Sequence, residues 1–484
     1  MAPREWINPR TGESQALDIS DHAVADVAAI TARSHEAWLG YRDADNSGRA
    51  AVLNVVADAL DYRVKELSEL ADEESALGIP RLTGEVARTT FQLRLFADSL
   101  DAGTLMPAEI GEAVPGDPPA GRPELVRHYV PLGPVAVFGS SNFPFAFGVL
   151  GGDTASALAA GCTVVAKEHS AHPRLAQLQV TIAREALSQA GHDPDLILSV
   201  TGTAAGAALV TSDEIAAVGF TGSVAGGRTL FDLATSRPKP IPFFGELGSV
   251  NPVIVSPAAA QSRAEEIAEG FVASLLLGAG QFCTKPSVLV YPRDSEILSH
   301  VVRAISKAPA AVLLTDKIAE SYRTQIEHIR ESGAEEISQA ASIDRPGAWV
   351  APAIFQSSVG DVLSAENVVG EECFGPAAFM VPYDTESEAL ACAAEGEGAL
   401  VGCVHGVEGE TLATELLRAL AHRSGRVVWN GWPTGVAVAP TQMHGGPYPA
   451  STVPQATSVG LHAASRFSRP VAFQSVPAAM RPVS

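Results

Sequence analysis

The sequence predicts an α/β fold with two doubly wound parallel sheets and a small β arm. Short apolar strands alternate with amphipathic helices from Pro134 onward, which is the pattern of a parallel sheet covered by helices. A second region of the same kind follows Pro238 and continues to about residue 445. The chain of 484 residues is also too long for a single hydrophobic core, so two or three domains are expected.

The residues before Pro134 are expected to form a helical surface layer and the first part of an arm. Apolar residues recur at helical spacing over residues 21–38 and 49–71, and nothing in these segments indicates chemistry. Residues 107–122 are rich in Pro and Gly and precede a short predicted strand over 125–130. Such a stretch is typical of an excursion from the domain body.

The remaining elements follow from apolar runs and helical periodicity. For the first sheet they are the strands 135–138, 163–166, 196–200 and 215–220 and the helices 153–160 and 174–190. For the second sheet the predicted strands are 287–290, 311–314, 378–381 and 425–429. The tail, 451–484, has too few apolar residues for its own core, so we expect it to pair with the edge strand of another subunit.

The composition argues against several classes of protein. The net charge of −22 disfavours nucleic acid or an anionic membrane as the main partner. No uninterrupted apolar run is long enough to span a membrane, and the N-terminus has no apolar signal core. The five cysteines include no C-x-x-C pair, so neither a disulfide framework nor a structural metal site is expected. We therefore expect a soluble cytoplasmic protein without a bound metal.

Cys283 is the first candidate for chemistry. It follows a segment with the periodicity of a buried helix, and Gly278 and Gly280 break that helix on either side of Ala279. A cysteine on a tight turn after a rigid helix can present its sulfur to a cleft. The alternative is a buried structural cysteine, which is the commoner fate of this residue.

Three further polar residues stand where a cleft would form. Glu246 lies among apolar and glycine residues, so burial is expected to raise the pKa of its carboxyl and make it a general base near neutral pH. Asn142 follows the first strand, where its amide could donate to a developing oxyanion. Lys167 ends the next strand and could bind ribose hydroxyls or phosphate. The alternatives are a carboxylate bound to loop amides, an asparagine that marks a turn, and a solvated surface lysine.

The glycine pattern of dinucleotide-binding proteins, G-x-G-x-x-G, is missing. A strand-to-helix turn that runs from Gly222 and Ser223 to Gly227 could instead place a helix N-terminus against a pyrophosphate. An ordinary Gly-rich turn is the alternative. Residues 371–376, which include Glu372 and Phe374, form an acidic turn in the second region and could be no more than a loop.

Together these segments resemble the aldehyde dehydrogenase family over nearly the whole chain. The family's motifs occur in the family's order: N-F-P with Asn142, V-V-x-K with Lys167, F-T-G-S with Gly222 and Ser223, E-L-G with Glu246, G-Q-x-C with Cys283, and E-E-x-F-G-P with Glu372 and Phe374. Six ordered motifs at plausible spacing are far more specific than any single one.

The resemblance implies a role for each of these residues. Cys283 matches the family's nucleophile, Glu246 its general base and Asn142 the amide of its oxyanion hole. The matches on the cofactor side are Lys167 and Glu372 at the ribose, Phe374 beside the nicotinamide, and the turn from Gly222 and Ser223 to Gly227 at the phosphate-side helix start.

The resemblance also implies the domain organisation. A Rossmann-like cofactor-binding domain is expected over 1–110 and 131–245, and a catalytic domain over 246–450. An oligomerisation arm is expected over 111–130 and 451–484, so the protein is expected to form a homodimer or homotetramer.

Departures from the common family pattern resemble one branch of the family. Ser-Ser-Asn-Phe-Pro stands in place of P-W-N-F-P, and a Met-His-Gly-Gly-Pro segment with His444 replaces P-F-G-G-x-K. These features look like the 2,5-dioxovalerate (α-ketoglutaric semialdehyde) dehydrogenases and the related NADP-dependent fatty aldehyde dehydrogenases. In that branch a histidine that matches His444 lies near the active site, whereas an exposed loop histidine is the alternative.

The branch implies the reaction. The main expectation is NAD(P)-dependent oxidation of 2,5-dioxopentanoate to 2-oxoglutarate through a cysteine thiohemiacetal and thioester. Oxidation of medium- and long-chain fatty aldehydes is the alternative. An inactive binding or scaffold protein on the same fold is the alternative from another class, because a fold by itself does not imply an activity.

Cofactor choice is expected to depend on Ser170. NAD-preferring relatives have a glutamate three residues after the lysine, which binds both ribose hydroxyls and repels a 2′-phosphate. Ser170 at that position removes the repulsion, so NADP is expected to be preferred, with NAD as the second option. NADP-specific relatives also have an arginine in the segment that matches residues 201–208, and this chain has none there.

Overall fold

The computed structural model describes residues 4–338, 343, 345–364 and 368–481, and it confirms the α/β fold class. Its two largest sheets have five and seven strands and are almost entirely parallel, as doubly wound sheets are. A separate antiparallel sheet of three strands comes from the regions where an arm was expected. Among these described residues, no helix is both long and apolar enough to cross a membrane.

The chain begins with a hairpin, four helices and two further strands. These are β1 Arg4–Ile7, β2 Ser14–Leu17, α1 Val24–Tyr41, α2 Asn46–Tyr62, α3 Val64–Ser75, α4 Ile79–Asp101, β3 Glu109–Gly111 and β4 Leu125–Pro131. The single helix expected over 49–71 is divided at Arg63, whose φ of −104° and ψ of 15° are not helical. The helices α2 and α4 bury one face, since Leu53, Val56 and Phe96 are fully buried in the largest core cluster, and expose the other, where Tyr62 and Phe91 lie.

The first large sheet carries the candidate residues of the N-terminal half. Its elements are β5 Val135–Phe138, α5 Gly152–Ala159, β6 Val164–Lys167, α6 Pro173–Gln189, β7 Ile197–Val200, α7 Thr203–Thr211, β8 Ala217–Thr221, α8 Val224–Thr235 and β9 Phe243–Glu246. The strand order is β7-β6-β5-β8-β9 and every pairing is parallel. The winding reverses at β5, and a doubly wound sheet binds its ligand outside the carboxyl ends of the strands at such a point.

The second large sheet carries the candidate nucleophile. The elements of this half are β10 Asn251–Val255, α9 Pro257–Leu276, β11 Pro286–Pro292, α10 Ile297–Ile305, β12 Ala311–Val312, α11 Asp316–Glu331, β13 Glu335–Glu336, β14 Trp349–Val350, β15 Ala353–Gln356, α12 Val359–Val362, β16 Ala377–Tyr383, α13 Glu386–Ala394, β17 Ala399–His405, α14 Thr411–Arg423 and β18 Ser424–Trp429. The strand order is β13-β15-β16-β11-β10-β17-β18, in which only the edge strand β13 pairs antiparallel.

Two features of this sheet differ from the sequence expectation. The strand expected over 311–314 shortens to β12, which pairs with β14 in a small sheet of its own. The central strand β10 and its neighbour β17 were not predicted, yet every residue of both is buried. Two apolar clusters pack on opposite sides of this sheet. The consecutive residues Val253 and Ile254 of β10, whose side chains point to opposite faces, belong to different clusters.

The three-stranded sheet pairs the tail with the same chain. The strand β19, Ser468–Gln474, runs antiparallel to β4 along its whole length, from Ser468 opposite Pro131 to Gln474 opposite Leu125. β3 pairs with the other edge of β4. Both edges of β4 are therefore occupied within the chain, and pairing of the tail with the edge strand of another subunit stays a prediction.

Only part of the expected arm segment 451–484 is in this sheet. Residues 461–467 form a 3₁₀ helix that packs on α5, and Phe467 is fully buried. Arg466 also lies in the core, where its guanidinium is 2.7 Å from the carboxylate of Asp153. Residues 451–467 thus pack against the main body, while the exact domain boundaries remain a prediction.

Candidate active site

A sharp turn presents Cys283. The helix α9 ends at Leu276, and a 3₁₀ turn, Leu277–Gly280, follows. Residues 278–280 have φ values of 59°, 59° and 70°, so the chain reverses as the two glycines predicted. A Cβ on Gly280 would lie 2.3 Å from the carbonyl of Gly375, which means that this turn packs directly against the turn after Glu372.

The main chain on both sides of the sulfur is fixed by a residue that the sequence reasoning missed. The amide of Asn251, at the start of β10, donates to the carbonyl of Cys283 at 2.8 Å and to that of Lys285 at 3.0 Å. Its own oxygen accepts from the amide of Val401 on β17 at 3.1 Å. The buried Asn251 therefore ties the nucleophile loop to two strands of the sheet, and the side chain of Cys283 stays half-buried at a defined position.

Glu246 and His444 form a buried pair beside the sulfur. Nε2 of His444 lies 2.7 Å from Oε1 of Glu246, and both atoms lie 3.9 Å from Sγ of Cys283. Ser458 donates its hydroxyl to the second carboxylate oxygen of Glu246. His444 is not an exposed loop histidine, because only 2% of its surface is accessible.

The pKa of Glu246 differs in direction from the sequence expectation. Burial alone raises it, as expected from the apolar neighbours. The charge and hydrogen bond of His444, with the hydroxyl of Ser458, outweigh burial and lower the pKa below its ordinary value. The partners come from residues about 200 positions away in the chain, so the local sequence around Glu246 did not reveal them.

The pKa of the Cys283 thiol is shifted in the opposite direction to that of Glu246. Burial raises the pKa of Cys283 well above its ordinary value, and the carboxylates of Glu246 and Glu372 raise it further. Hydrogen bonding to the main chain of Thr284 opposes this only in part. Cys283 is therefore a thiol at neutral pH, and the adjacent Glu246–His444 pair is within reach as the acceptor of its proton.

Asn142 lies on the other side of the nucleophile loop. Its amide nitrogen donates to the carbonyl of Gln281 at 2.8 Å, two residues before Cys283, and its side chain is buried. An amide carries two N–H groups, so the second one can donate to another acceptor. Arg81 holds the carbonyl of Asn142 at 2.6 Å, which fixes the backbone of this residue.

The helix α4 carries three charged residues behind the site, although no chemistry was expected before Pro134. Glu85 is buried and accepts from the backbone amides of Phe145 and Ala146, at 2.8 and 3.0 Å, in the turn after Asn142. Arg88 stacks over Phe147, with 5.4 Å from the guanidinium carbon to the ring centre. The spacing of Arg81, Glu85 and Arg88 by four and three residues places them on one helix face, and this was the available signal.

A cleft of about 950 Å³ lies beside the acidic turn of the second half. It is lined by the start of α8, by residues 248–250 and by the acidic turn with Glu371 and Glu372. A Cβ on Gly248 would lie 2.0 Å from Oε2 of Glu372, so only glycine lets this carboxylate approach the strand end. Burial raises the pKa of Glu372 to about 7, against the opposing effect of Lys285. Phe374, two residues on, is half-buried.

Lys167 and Ser170 lie at the carboxyl end of β6 in the first sheet. Lys167 is half-buried and Ser170 is exposed. Burial lowers the pKa of Lys167, and the charge of Arg4 in β1 lowers it further. Arg4 forms an ion pair of 3.2 Å with Asp21, which packs against Gly202 at the start of α7. The hairpin thus brings an arginine to the segment 201–208, and no sequence signal near that segment indicated it.

The turn from Gly222 to Gly227 begins the helix α8. Ser223 is its N-cap and accepts from the amide of Gly226 at 3.2 Å. A Cβ on Gly227 would lie 2.2 Å from Leu247, so this glycine allows the helix to pack closely on the segment after Glu246. Gly222 is half-buried, and Ser223 is exposed.

These residues fit a nicotinamide dinucleotide. A helix N-terminus with free amides suits a pyrophosphate, and the half-buried ammonium of Lys167 and the carboxylate of Glu372 suit ribose hydroxyls. Glu168, the residue after the lysine, is not available, because it accepts from the hydroxyls of Ser199 and Thr201 at 2.7 and 2.8 Å.

The cluster of Glu246, Cys283 and His444 does not have the spacing of a metal site. Glu246, Cys283 and His444 place ligand-type atoms within 4.8 Å of one another. Ligands at about 2.0–2.3 Å from a tetrahedral zinc ion are more than 3 Å apart. The 2.7 Å contact between His444 and Glu246 therefore accommodates a proton and leaves no room for an ion.

Comparisons with known proteins agree with this geometry. Residues 2–451 match the profile of the Aldehyde dehydrogenase family. The chain is 36% identical over 482 residues to the alpha-ketoglutaric semialdehyde dehydrogenase of Acinetobacter baylyi, which covers 99% of this chain and 92% of that protein. It is 40% identical over 467 residues to alpha-ketoglutaric semialdehyde dehydrogenase 2 of Azospirillum brasilense, with 94% and 88% of the two chains covered.

Solved structures share the fold. The aldehyde dehydrogenase KauB from Pseudomonas aeruginosa superposes with a TM-score of 0.84 at 22% identity, over 97% of this chain and 92% of that one. Succinic semialdehyde dehydrogenase from Streptococcus pyogenes, solved with NADP⁺, gives a TM-score of 0.82 at 20% identity, over 97% and 99%. From the family match and from relatives that are 36% and 40% identical over nearly the full chain, this protein belongs to the aldehyde dehydrogenase family and is an NAD(P)-dependent oxidoreductase that converts aldehydes to acids.

Proposed function

We propose that the protein oxidises 2,5-dioxopentanoate, α-ketoglutaric semialdehyde, to 2-oxoglutarate with NADP as the preferred cofactor. This substrate carries a 2-oxo acid at the end opposite its aldehyde, so its pocket has to accept a negative charge. The names of the two relatives that are 36% and 40% identical support the same substrate.

The observation that carries the proposal is a pair of guanidinium groups near the sulfur. Burial lowers the pKa of Arg88 in α4 and of Arg426 in β18, and Cys283 is among the neighbours that oppose this in both. Both also bind the same loop, since Arg88 donates to the carbonyl of Val436 at 3.3 Å and Arg426 donates to that of Gly435 at 2.9 Å. In a chain with a net charge of −22, two cations at one point favour an anionic substrate.

Fatty aldehydes are the second candidate. Phe143 makes edge contacts with Phe147 and Phe282, with ring centres 5.6 and 4.9 Å apart, beside the nucleophile. These rings would suit an alkyl chain. An alkyl chain in this pocket would, however, remove water from Arg88 and Arg426 without supplying a counter-charge, which is unfavourable. The anionic aldehyde avoids this cost.

The first half of the reaction follows from the positions around the sulfur. The thiol of Cys283 loses its proton to the Glu246–His444 pair, and the thiolate attacks the aldehyde carbon. The developing oxyanion accepts from the amide of Asn142 and from the backbone N–H of Cys283. The bound nicotinamide cofactor supplies the acceptor for the hydride that leaves the thiohemiacetal.

The second half needs a base at the same point. After oxidation, the acyl group is held as a thioester on Cys283. The Glu246–His444 pair first releases to solvent the proton that it took from the thiol. Glu246 then takes a proton from water, which attacks the thioester carbon, and the departing thiolate takes up this proton as the acid is released. His444 helps by keeping the carboxylate of Glu246 ionised and oriented through the 2.7 Å contact.

The preference for NADP rests on the charges near the end of β6. Ser170 offers a hydroxyl in place of the glutamate that repels a 2′-phosphate. Arg4 adds a cation next to Lys167, which takes the place of the arginine that is missing from 201–208. Two cations and a hydroxyl favour a phosphate over a free 2′-hydroxyl.

The three-stranded sheet supports association into a homodimer or homotetramer. It exposes Ile110 and Leu125, with 64% and 38% of their surface accessible, and Val114 in the connection between β3 and β4 is 38% accessible. The outer edge of β19 carries backbone groups that a second copy of the chain can pair with. Light scattering coupled to size exclusion distinguishes monomer, dimer and tetramer.

A cytoplasmic location fits the state of the cysteines. All five are unpaired: Cys162, Cys283, Cys373, Cys392 and Cys403. Free thiols are typical of a reducing compartment. Fractionation of the producing cells, with detection of the native protein in each fraction, tests this location.

A substrate and cofactor matrix tests the reaction. We expect kcat/KM for α-ketoglutaric semialdehyde with NADP to exceed that for hexanal and decanal with either cofactor. Replacing Arg88 or Arg426 with Met should lower kcat/KM for the anionic aldehyde and spare hexanal. Equal loss for both aldehydes would favour a purely structural role for the arginines, and higher kcat/KM for decanal would favour the fatty aldehyde function.

A further inference from the structure

Lys285 is a buried cation two residues after the nucleophile. Only 3% of its surface is accessible. Its ammonium donates to the carbonyls of Cys373, Gly375 and Ala377, at 2.6, 3.2 and 2.7 Å. An ammonium has three N–H donors, so all of them are used on one turn.

This turn carries the cofactor-side residues. Glu372 comes directly before the first of the three carbonyls, and Phe374 lies between the first and the second. The turn also packs on Gly280, where a Cβ would lie 2.3 Å from the carbonyl of Gly375. The nucleophile loop and the cofactor-side turn are therefore joined by packing before Cys283 and by three charged hydrogen bonds after it.

The charge of Lys285 also acts on Glu372. Burial raises the pKa of Glu372 to about 7, and the cation of Lys285 is the charge that opposes this rise. Burial raises the pKa of Cys283 and of Cys373, and the carboxylate of Glu372 raises both further. Other charged groups that line the cleft with it are His328, Glu371, Glu395, Glu397 and Arg423.

We propose that Lys285 is a positioning residue that holds the Glu372 turn against the nucleophile loop and so places the Glu372 carboxylate for the cofactor ribose. It sets the placement of the nicotinamide relative to the sulfur, so it acts on cofactor binding and hydride transfer more than on thioester hydrolysis. The inference rests on the proposed role of Glu372 as a cofactor contact.

The pH dependence of cofactor affinity distinguishes this role from a general structural one. If ionised Glu372 binds the ribose, affinity is present above the pKa of Glu372 and is lost as the pH falls through it. Without the cation of Lys285, that pKa rises. The pH at which half of the affinity is lost should therefore move upward in a variant that lacks the charge.

Three variants test the proposal, with the dissociation constant of NADP measured by fluorescence between pH 6 and 9. Lys285→Met removes the charge and all three donors, and Lys285→Gln keeps amide donors without the charge. Glu372→Gln removes the titrating carboxylate. At pH 7.5 we expect Lys285→Met to weaken NADP binding about tenfold, the scale of a lost charge-assisted interaction. Both lysine variants should shift the midpoint upward.

The double variant Lys285→Met/Glu372→Gln provides the matched control. Lys285→Met should cost much less NADP affinity in the Glu372→Gln background than in the wild type. An equal cost in both backgrounds, or an unmoved midpoint, overturns the role of Lys285. If Glu372→Gln alone leaves NADP affinity unchanged, the proposed role of Glu372 fails instead. Lys285→Gln keeps the test decisive if Lys285→Met does not fold.

Discussion

Beside the sulfur, the carboxylate of Glu246 is satisfied by protein partners, whereas the carboxylate of Glu372 lines an open cleft. Glu246 is bonded through both carboxylate oxygens, to His444 and Ser458, and is 4% accessible. Glu372 is half-buried and lines a cleft that a dinucleotide can fill, and Lys167 and Ser170 are half-buried and exposed, respectively, at the carboxyl end of β6. The acyl side, meaning Cys283, Glu246 and His444, is therefore preorganised in the free protein. The cofactor side, meaning Lys167, Ser170 and Glu372, gains its partners from the ligand.

This difference separates the kinetic effects of mutations. A preorganised group acts on the chemical step, so its loss lowers kcat. A group that obtains its partner from the cofactor acts mainly on affinity, so its loss raises the dissociation constant or changes cofactor selectivity. A variant on one side that shows the kinetic signature of the other side would contradict this separation.

The largest effect is expected from Cys283→Ala. Removing the nucleophile should lower the rate of aldehyde oxidation by about 10⁴-fold or more, because no covalent intermediate can form. The rate of NADPH formation with saturating aldehyde measures this. The dissociation constant of NADP should stay within about twofold of the wild type, since the sulfur is on the acyl side. Retained turnover would refute the assignment of the nucleophile.

Glu246→Gln is expected to separate the two halves of the reaction. Steady-state turnover should fall about 10²- to 10³-fold, the range of a lost general base, because water is no longer activated. If His444 alone accepts the thiol proton, one equivalent of NADPH per active site still forms and the acylated enzyme accumulates. Rapid mixing measures this burst, and mass spectrometry detects the acyl adduct on Cys283. A variant with normal steady-state turnover contradicts the role of Glu246.

His444→Gln is expected to change the pH profile as well as the rate. His444 lowers the pKa of Glu246, so its removal raises that pKa. Since Glu246 is a base only when ionised, the acid limb of the kcat profile should move to higher pH, and kcat at pH 7 should fall by about tenfold. Measuring kcat from pH 5 to 9 tests the prediction. A uniform decrease without a shift would mean that His444 only supports packing.

The residues of the acyl side could be predicted from the sequence, but their contacts with one another could not. The turn with positive φ before Cys283 follows from Gly278 and Gly280. The strands β5 and β6 follow from apolar runs, of which the first ends at Phe138, shortly before Asn142, and the second at Lys167. The direction of the pKa of Glu246 did not follow, because it depends on His444, 198 positions later (444 − 246). Contacts of this kind arise from the packing of the two halves.

The strand β10 was not predicted because of a residue within the strand itself. Its second residue is Pro252, which lacks an amide donor and so argues against a central strand. The structure accommodates it with a register shift between Asn251 and Pro252 opposite β11. Asn251 at this irregularity then uses its side chain to hold the nucleophile loop, so the departure from regular pairing has a function in the site.

On the cofactor side, Ser170→Glu is expected to change the selectivity between NADP and NAD, with a smaller effect than the changes around the sulfur. A carboxylate at this exposed position would repel the 2′-phosphate and accept from both ribose hydroxyls of NAD. We expect the ratio of kcat/KM for NADP to that for NAD to fall about tenfold, the scale of one charge–charge contact near the surface. Initial rates with each cofactor at saturating aldehyde give the ratio. A change in kcat without a change in selectivity contradicts the placement of Ser170 at the ribose.

Arg4→Ala is expected to have the smallest effect and to be the most specific probe of the hairpin. Arg4 is paired with Asp21 beside Lys167, so its loss removes one cation and also leaves a carboxylate near the proposed phosphate position. We expect NADP selectivity over NAD to fall about three- to fivefold, with the NAD kinetics unchanged, as for a partly solvated charge. Arg10→Ala is the matched control, because Arg10 lies after the same hairpin strand but pairs with Asp72. If both variants reduce NADP selectivity equally, the effect comes from net charge, and Arg4 has no specific role at the ribose.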